Sequence, residues 1–130
     1  CSHTAGVGVS TSECYATLVA DALGMDLVNL AVSGGNRHTV ESTLIKHLKD
    51  HTPAQVIAQW PNPFRITSWH DDAASPKLET VSNSGPIFQA MLQAGNDNFL
   101  QPWVQTIIIC NMLCRARSIP VVNILLGNHV

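Results

Sequence analysis

Apolar residues fall into two periods along this chain. At Tyr15, Leu18, Val19, Ala22 and Leu23 they recur every three to four positions, the spacing of one helix face. Ser10-Thr11-Ser12-Glu13 precedes that stripe and reads as a capping box, with Ser10 at the N-cap and Glu13 reaching back. Gly24 follows as a stop. The pattern predicts a helix over residues 11–23. A second stripe at Val40, Leu44, Ile45 and Leu48 predicts a helix over residues 39–50, with Pro53 beyond its end. Residues 87–93 fit a short helix and residues 96–117 a longer one, with Pro102 in its first turns.

The other period is that of strands. Residues 27–32, 55–60 and 119–126 are short apolar runs. Ser33-Gly34-Gly35-Asn36 ends the first, Pro53 and Pro61 bracket the second, and Gly127-Asn128 stops the third. Runs that are continuously apolar, not alternating, indicate strands covered on both faces, as in a parallel sheet. Residues 61–85 are polar and irregular, punctuated by Pro61, Pro63, Pro76 and Pro86, and a loop of that length is often functional. Helices alternating with such strands predict an α/β class. The chain enters this alternation mid-pattern. The expectation is one domain over residues 1–130, incomplete at both ends, with a first strand ahead of residue 1 and a C-terminal part beyond residue 130.

Composition narrows the picture. Apolar residues are 45% of the 130 and charged residues only 12%, which excludes the low-hydrophobicity, high-charge signature of disorder. Net charge is −2 and no basic block occurs, so nucleic-acid binding through a basic face is not expected. No apolar run reaches membrane-spanning length; residues 107–114 come nearest and are closed by Arg115 and Arg117. No signal peptide is visible, and cytoplasmic and virion-associated locations both stay open.

Four cysteines, Cys1, Cys14, Cys110 and Cys114, fit no zinc spacing and read as reduced structural residues, the last two as small apolar ones one helical turn apart. His47 and His51 lie four apart on a predicted helix without a third ligand, and read as a solvated face. His70-Asp71-Asp72 reads as solvated loop, and Trp69 and Trp103 as core or interface residues. No metal or cofactor is expected.

Three strand ends carry candidate chemistry: Cys1-Ser2-His3-Thr4-Ala5-Gly6, then Asn29-Leu30-Ala31-Val32-Ser33-Gly34, then Trp60-Pro61-Asn62-Pro63. In open α/β sheets ligands bind at the carboxyl ends of the strands. Together these blocks resemble the SGNH, or GDSL-type, hydrolase superfamily, in its branch with cysteine before the serine. The resemblance implies a flavodoxin-like three-layer αβα fold with a parallel sheet. It makes Ser2 the nucleophile, Gly34 the oxyanion-hole glycine and Asn62 the side-chain donor of the hole. Trp60 and Arg65 match the habit of that branch. The Gly and Asp that flank the family's third-block asparagine are missing here. So is the Asp-x-x-His of the last block, whose place is expected after residue 130; His129 has Leu126 where the acid would stand.

The residue types suit acyl transfer. A serine hydroxyl is a weak nucleophile until a base takes its proton, and fixed N–H donors stabilise the charge that develops on the attacked carbonyl. Gly34 lets the backbone approach a substrate closely, and the same di-glycine also turns strand into helix. Substrate contacts are expected from His3, beside the nucleophile, from Asn36 and Arg37 at the start of a helix, and from Trp60 and Arg65. Arg37 could meet an anionic group. The expected function is ester hydrolysis through an acyl-enzyme, on a small-molecule or glycan ester. The alternative is a non-catalytic binding or structural module with protein assembly partners.

Overall fold

The structure, a computed structural model, describes residues 2–63, 66–68, 77–79, 93, 95 and 97–125, without the side chains of Ser2, Asp97, Phe99, residues 66–68 and residues 77–79. The elements in chain order are α1 (Ser2–Ala5), a 3₁₀ turn (Thr11–Glu13), α2 (Tyr15–Leu23), α3 (Arg37–Asp50), β1 (Val56–Trp60), β2 (Ile66–Ser68), β3 (Lys77–Glu79), α4 (Asp97–Ala116) and β4 (Val121–Leu125). β1 and β4 pair in parallel, Val56 opposite Val121 and Trp60 opposite Leu125. β2 and β3 pair antiparallel, Ile66 opposite Glu79. This is a partial α/β fold. The expectation of an irregular 61–85 segment is corrected by that hairpin: its two strands are too short, at three residues each, to leave a period in the sequence.

The core lies between one face of β1 and two helices. Leu44 and Leu48 of α3 meet Trp103, Cys110 and Cys114 of α4, with Ala58, Trp60 and Ile119 beneath them. Val40, Val56, Ile107 and Val121 pack around that cluster. Positions 40, 44 and 48 fall on one side of α3, and 103, 107, 110 and 114 on one side of α4, because residues three and four apart stack on a helix. Ile45, counted in the apolar face by its type, is 45% exposed. On β1 the side chains alternate, so Val56, Ala58 and Trp60 enter this core while Ile57 and Gln59 point to the other face.

Helix ends follow local chemistry. Asn36 caps α3, its side chain accepting from the Thr39 N–H at 3.1 Å, while Thr39 Oγ1 accepts from the Asn36 N–H at 3.3 Å. Gly24 ends α2 in the left-handed region, φ +64°. The helix expected over residues 11–23 is instead broken at Cys14, which is extended (φ −63°, ψ 129°). Its buried thiol donates to the Thr4 carbonyl at 3.4 Å. Gly6 allows that approach: φ is +74°, and a Cβ there would sit 3.3 Å from Cys14 Cβ and Sγ. Glu13 reaches back as expected, accepting from the Ser10 N–H at 3.2 Å and the Ser10 hydroxyl at 2.5 Å.

The largest departure concerns residues 27–32. They form no strand. Leu27, Val28, Leu30 and Val32 are all at least 40% exposed, and β1 pairs only with β4 among the described strands. The run has strand composition, but a strand exists only where a neighbour supplies backbone partners.

Candidate functional site

Thr4 is the hub of a polar junction between distant parts of the chain. Its hydroxyl donates to Gln59 Oε1 and lies 2.9 Å from the Tyr15 hydroxyl. Tyr15 also donates to Gln59 Oε1, at 3.0 Å. The Thr4 carbonyl accepts from Asn29 Nδ2 at 2.7 Å, and Asn29 Oδ1 in turn accepts from the Ala31 N–H at 3.1 Å. One residue of α1 is thereby tied to α2, to the end of β1 and to the segment that leads to Gly34. Sequence reasoning missed Tyr15 and Gln59 as parts of this junction. A polar residue inside an otherwise apolar strand run was the available signal for Gln59.

At the carboxyl end of residues 27–32 the two glycines differ in what they require. Gly34 has φ +73°, and a Cβ added there would meet nothing within 4 Å. Its N–H has no hydrogen-bond partner among the described residues. Gly35 is buried, its N–H donates to the Val32 carbonyl at 3.2 Å, and a Cβ there would lie 3.1 Å from that same carbonyl oxygen and from Thr39 Cγ2. So Gly34 needs its backbone angle and faces open space, while Gly35 is held small by the capped start of α3.

The remaining candidates divide. Ser2 opens α1; its side chain lies outside the described residues. His3 is exposed. Arg37 is half-buried, with Nε donating to His38 Nε2 at 3.3 Å. Asn36 is fully buried, and its side-chain oxygen caps α3. Trp60 sits in the core. It is fully buried, and its Nε1 donates to Asn123 Oδ1 at 2.8 Å, with Asn123 Nδ2 donating on to Asn111 Oδ1 at 2.9 Å. The strand alternation that puts Val56 and Ala58 inward puts Trp60 inward with them.

Asn62 is half-buried, directly after a buried Pro61 whose carbonyl accepts from Trp103 Nε1 at 2.8 Å. That bond anchors the turn carrying Asn62 to α4, and it makes Trp103 a core residue, as expected. Arg65, Trp69, His70, Asp71, Asp72 and His129 lie outside the described residues, as do residues 87–92 of the helix expected over residues 87–93.

His38 pairs with Glu41 at 3.5 Å. His47 and His51 stack with ring centroids 4.5 Å apart. Among the described residues no group of three His, Cys, Asp or Glu side chains could hold a metal ion, and no helix is long and apolar enough to cross a membrane. Cys14, Cys110 and Cys114 are free and buried. Burial pushes the Cys110 thiol up to about 11, helped by the nearby Glu41 charge and by Cys114, and burial raises Cys114 as well; neither is a reactive thiolate near neutral pH. The chain matches no protein-family model, no curated protein and no solved structure.

Proposed function

We propose that the protein is a serine-dependent ester hydrolase of the SGNH type, built on a flavodoxin-like three-layer αβα fold. The observation that carries this reading is the Thr4 junction. It sets the helix that opens on Ser2 against the end of β1 and against the segment leading to Gly34. The bonds tie the first block to the second at Asn29 and to Gln59, just ahead of the third, and this supports a shared site at the rim of the sheet, where α/β proteins bind ligands.

In this reading Ser2 Oγ attacks the ester carbonyl and its proton passes to a general base. The tetrahedral oxyanion is held by the Gly34 N–H and the Asn62 side-chain amide, each aimed at charge that appears only in the transition state. Collapse expels the alcohol, which takes the proton from the base, and leaves Ser2 acylated. Water, deprotonated by the same base, then attacks the acyl carbon, and Ser2 Oγ leaves with that proton as the acid is released. The Gly34 N–H, unpartnered among the described residues, and the open space beside Gly34 support the oxyanion role. His38 is engaged with Glu41, so the reading assigns the base to a histidine outside the described residues. The substrate class is a small-molecule or glycan ester.

Hydrolysis of p-nitrophenyl acetate and butyrate by the full-length protein tests this. Ser2→Ala is expected to lower kcat by about a thousandfold or more, and Asn62→Ala by on the order of a hundredfold with KM little changed. Full activity in Ser2→Ala would refute the assignment.

A further inference from the structure

Gln59 stands where the packing of β1 gives it no reason to be. The other residues of that strand, Val56, Ile57, Ala58 and Trp60, are apolar. A half-buried amide in such a run is costly to desolvate unless it is hydrogen-bonded. An amide oxygen accepts through two lone pairs, and Gln59 Oε1 commits both to hydroxyls. It accepts from Thr4 of α1 and, at 3.0 Å, from Tyr15 of α2.

α1 depends on such contacts for its position. It is a single turn, Ser2–Ala5, far too short to be stable alone. The Thr4 carbonyl accepts from Asn29 Nδ2 at 2.7 Å and from the Cys14 thiol at 3.4 Å. Asn29 and Cys14 both belong to segments that are neither helix nor strand. Gln59 belongs to β1, where it stands opposite Ile124 of β4. Of these three partners of Thr4 it alone ties α1 to a paired strand. Thr4 is β-branched, so its side chain has few rotamers. Holding its hydroxyl therefore holds the turn, and Ser2 lies two residues back in that turn.

The same strand end leads to the proposed oxyanion donor. Asn62 follows three residues after Gln59, beyond Trp60, which is in the core, and Pro61, whose carbonyl is held by Trp103 Nε1. We infer that Gln59 is a positioning residue: its side-chain oxygen sets the turn that carries Ser2 against the turn that carries Asn62. The inference rests on the hydrolase reading and adds to it a residue outside all three motif blocks. Gln59 acts through Thr4, and its loss misaligns nucleophile and oxyanion donor without weakening substrate binding.

Hydrolysis of p-nitrophenyl acetate by the full-length protein tests this. Gln59→Leu keeps the bulk of the side chain and removes its oxygen. It is expected to lower kcat about tenfold to a hundredfold, with KM within about twofold. Gln59→Glu keeps an acceptor in the same place and is expected to stay within about fivefold of the native kcat. In an Asn62→Ala background, Gln59→Leu is expected to lower kcat by less than about threefold, because the alignment it disturbs no longer has that donor to serve. Tyr15 is the only tyrosine of the chain, so the NMR signal of ring-labelled tyrosine reports its bond to Gln59 independently of activity, and it is expected to shift in Gln59→Leu. Four results would each overturn the inference and leave the hydrolase reading standing: an unmoved tyrosine signal, an undiminished kcat in Gln59→Leu, an equal fall in Gln59→Glu, or the full effect persisting in Asn62→Ala. Hydrolysis that Ser2→Ala does not reduce would overturn the reading and this inference with it.

Discussion

Single residues explain how this chain turns its corners, and Ser118 does so against its own preference. The Ser118 N–H donates to the Arg115 carbonyl at 2.9 Å and the Ile119 N–H to the Cys114 carbonyl at 2.9 Å. These are the two bonds of a Schellman motif closing α4. Ile119 and Cys114 also meet in the core, the apolar contact that accompanies the motif. Ser118 sits at φ +57°, where a side chain is strained and glycine is not. Ser118→Gly is therefore expected to stabilise the fold by about 0.5–1 kcal/mol, raising Tm by a few degrees in thermal denaturation. An unchanged or lowered Tm would mean that the left-handed cap carries no strain. The sequence gives no hint of this stop, because a serine at that position carries none of the signal that Gly24 carries at the end of α2.

Elements are held by faces, and the α3–α4 face is the best defined. Its two cysteines behave as small apolar residues that let the helices approach. Their protonation makes the interface pH-sensitive at the alkaline end. The folded-state value of Cys110 lies at about 11 against an ordinary 9.0, so above the ordinary value the unfolded chain has released the proton while the folded chain still holds it. The stability from this group is complete below about pH 9 and is lost as pH rises toward 11. Urea unfolding across that window is expected to show a steeper alkaline fall for the native protein than for Cys110→Ala. Equal slopes would show that the thiol does not titrate late.

How far an element can be read from sequence depends on whether its partners are local. The helix at residues 39–50 was legible because caps and periodicity lie within it: Asn36 and Thr39 begin α3 as such residues should. The strands at β1 and β4 were legible from apolar runs that each found the other. Residues 27–32 have the same composition, yet composition states only what a segment can bury and not whether a neighbour is present to pair with it. The β2–β3 hairpin fails to show for the opposite reason. Three-residue strands are specified by pairing and hardly at all by pattern.

For the whole molecule, the candidate site was legible as three motifs but not as a junction. Ser2, Gly34 and Asn62 were reached through their blocks. Tyr15 and Gln59, which Thr4 joins to Asn29, belong to a helix stripe and a strand run whose periodicity had already explained them. Trp60 and Asn36 show the converse. Each stands in a motif, and each is taken up by structure, one by the core and the other by a helix cap. The measurement that reaches the central claim most directly is reaction of the full-length protein with a fluorophosphonate, followed by intact-mass analysis and peptide mapping. The account predicts a single adduct, carried on Ser2 and absent in Ser2→Ala. No adduct on a protein with an undisturbed circular-dichroism spectrum, or an adduct on a different serine, would contradict it.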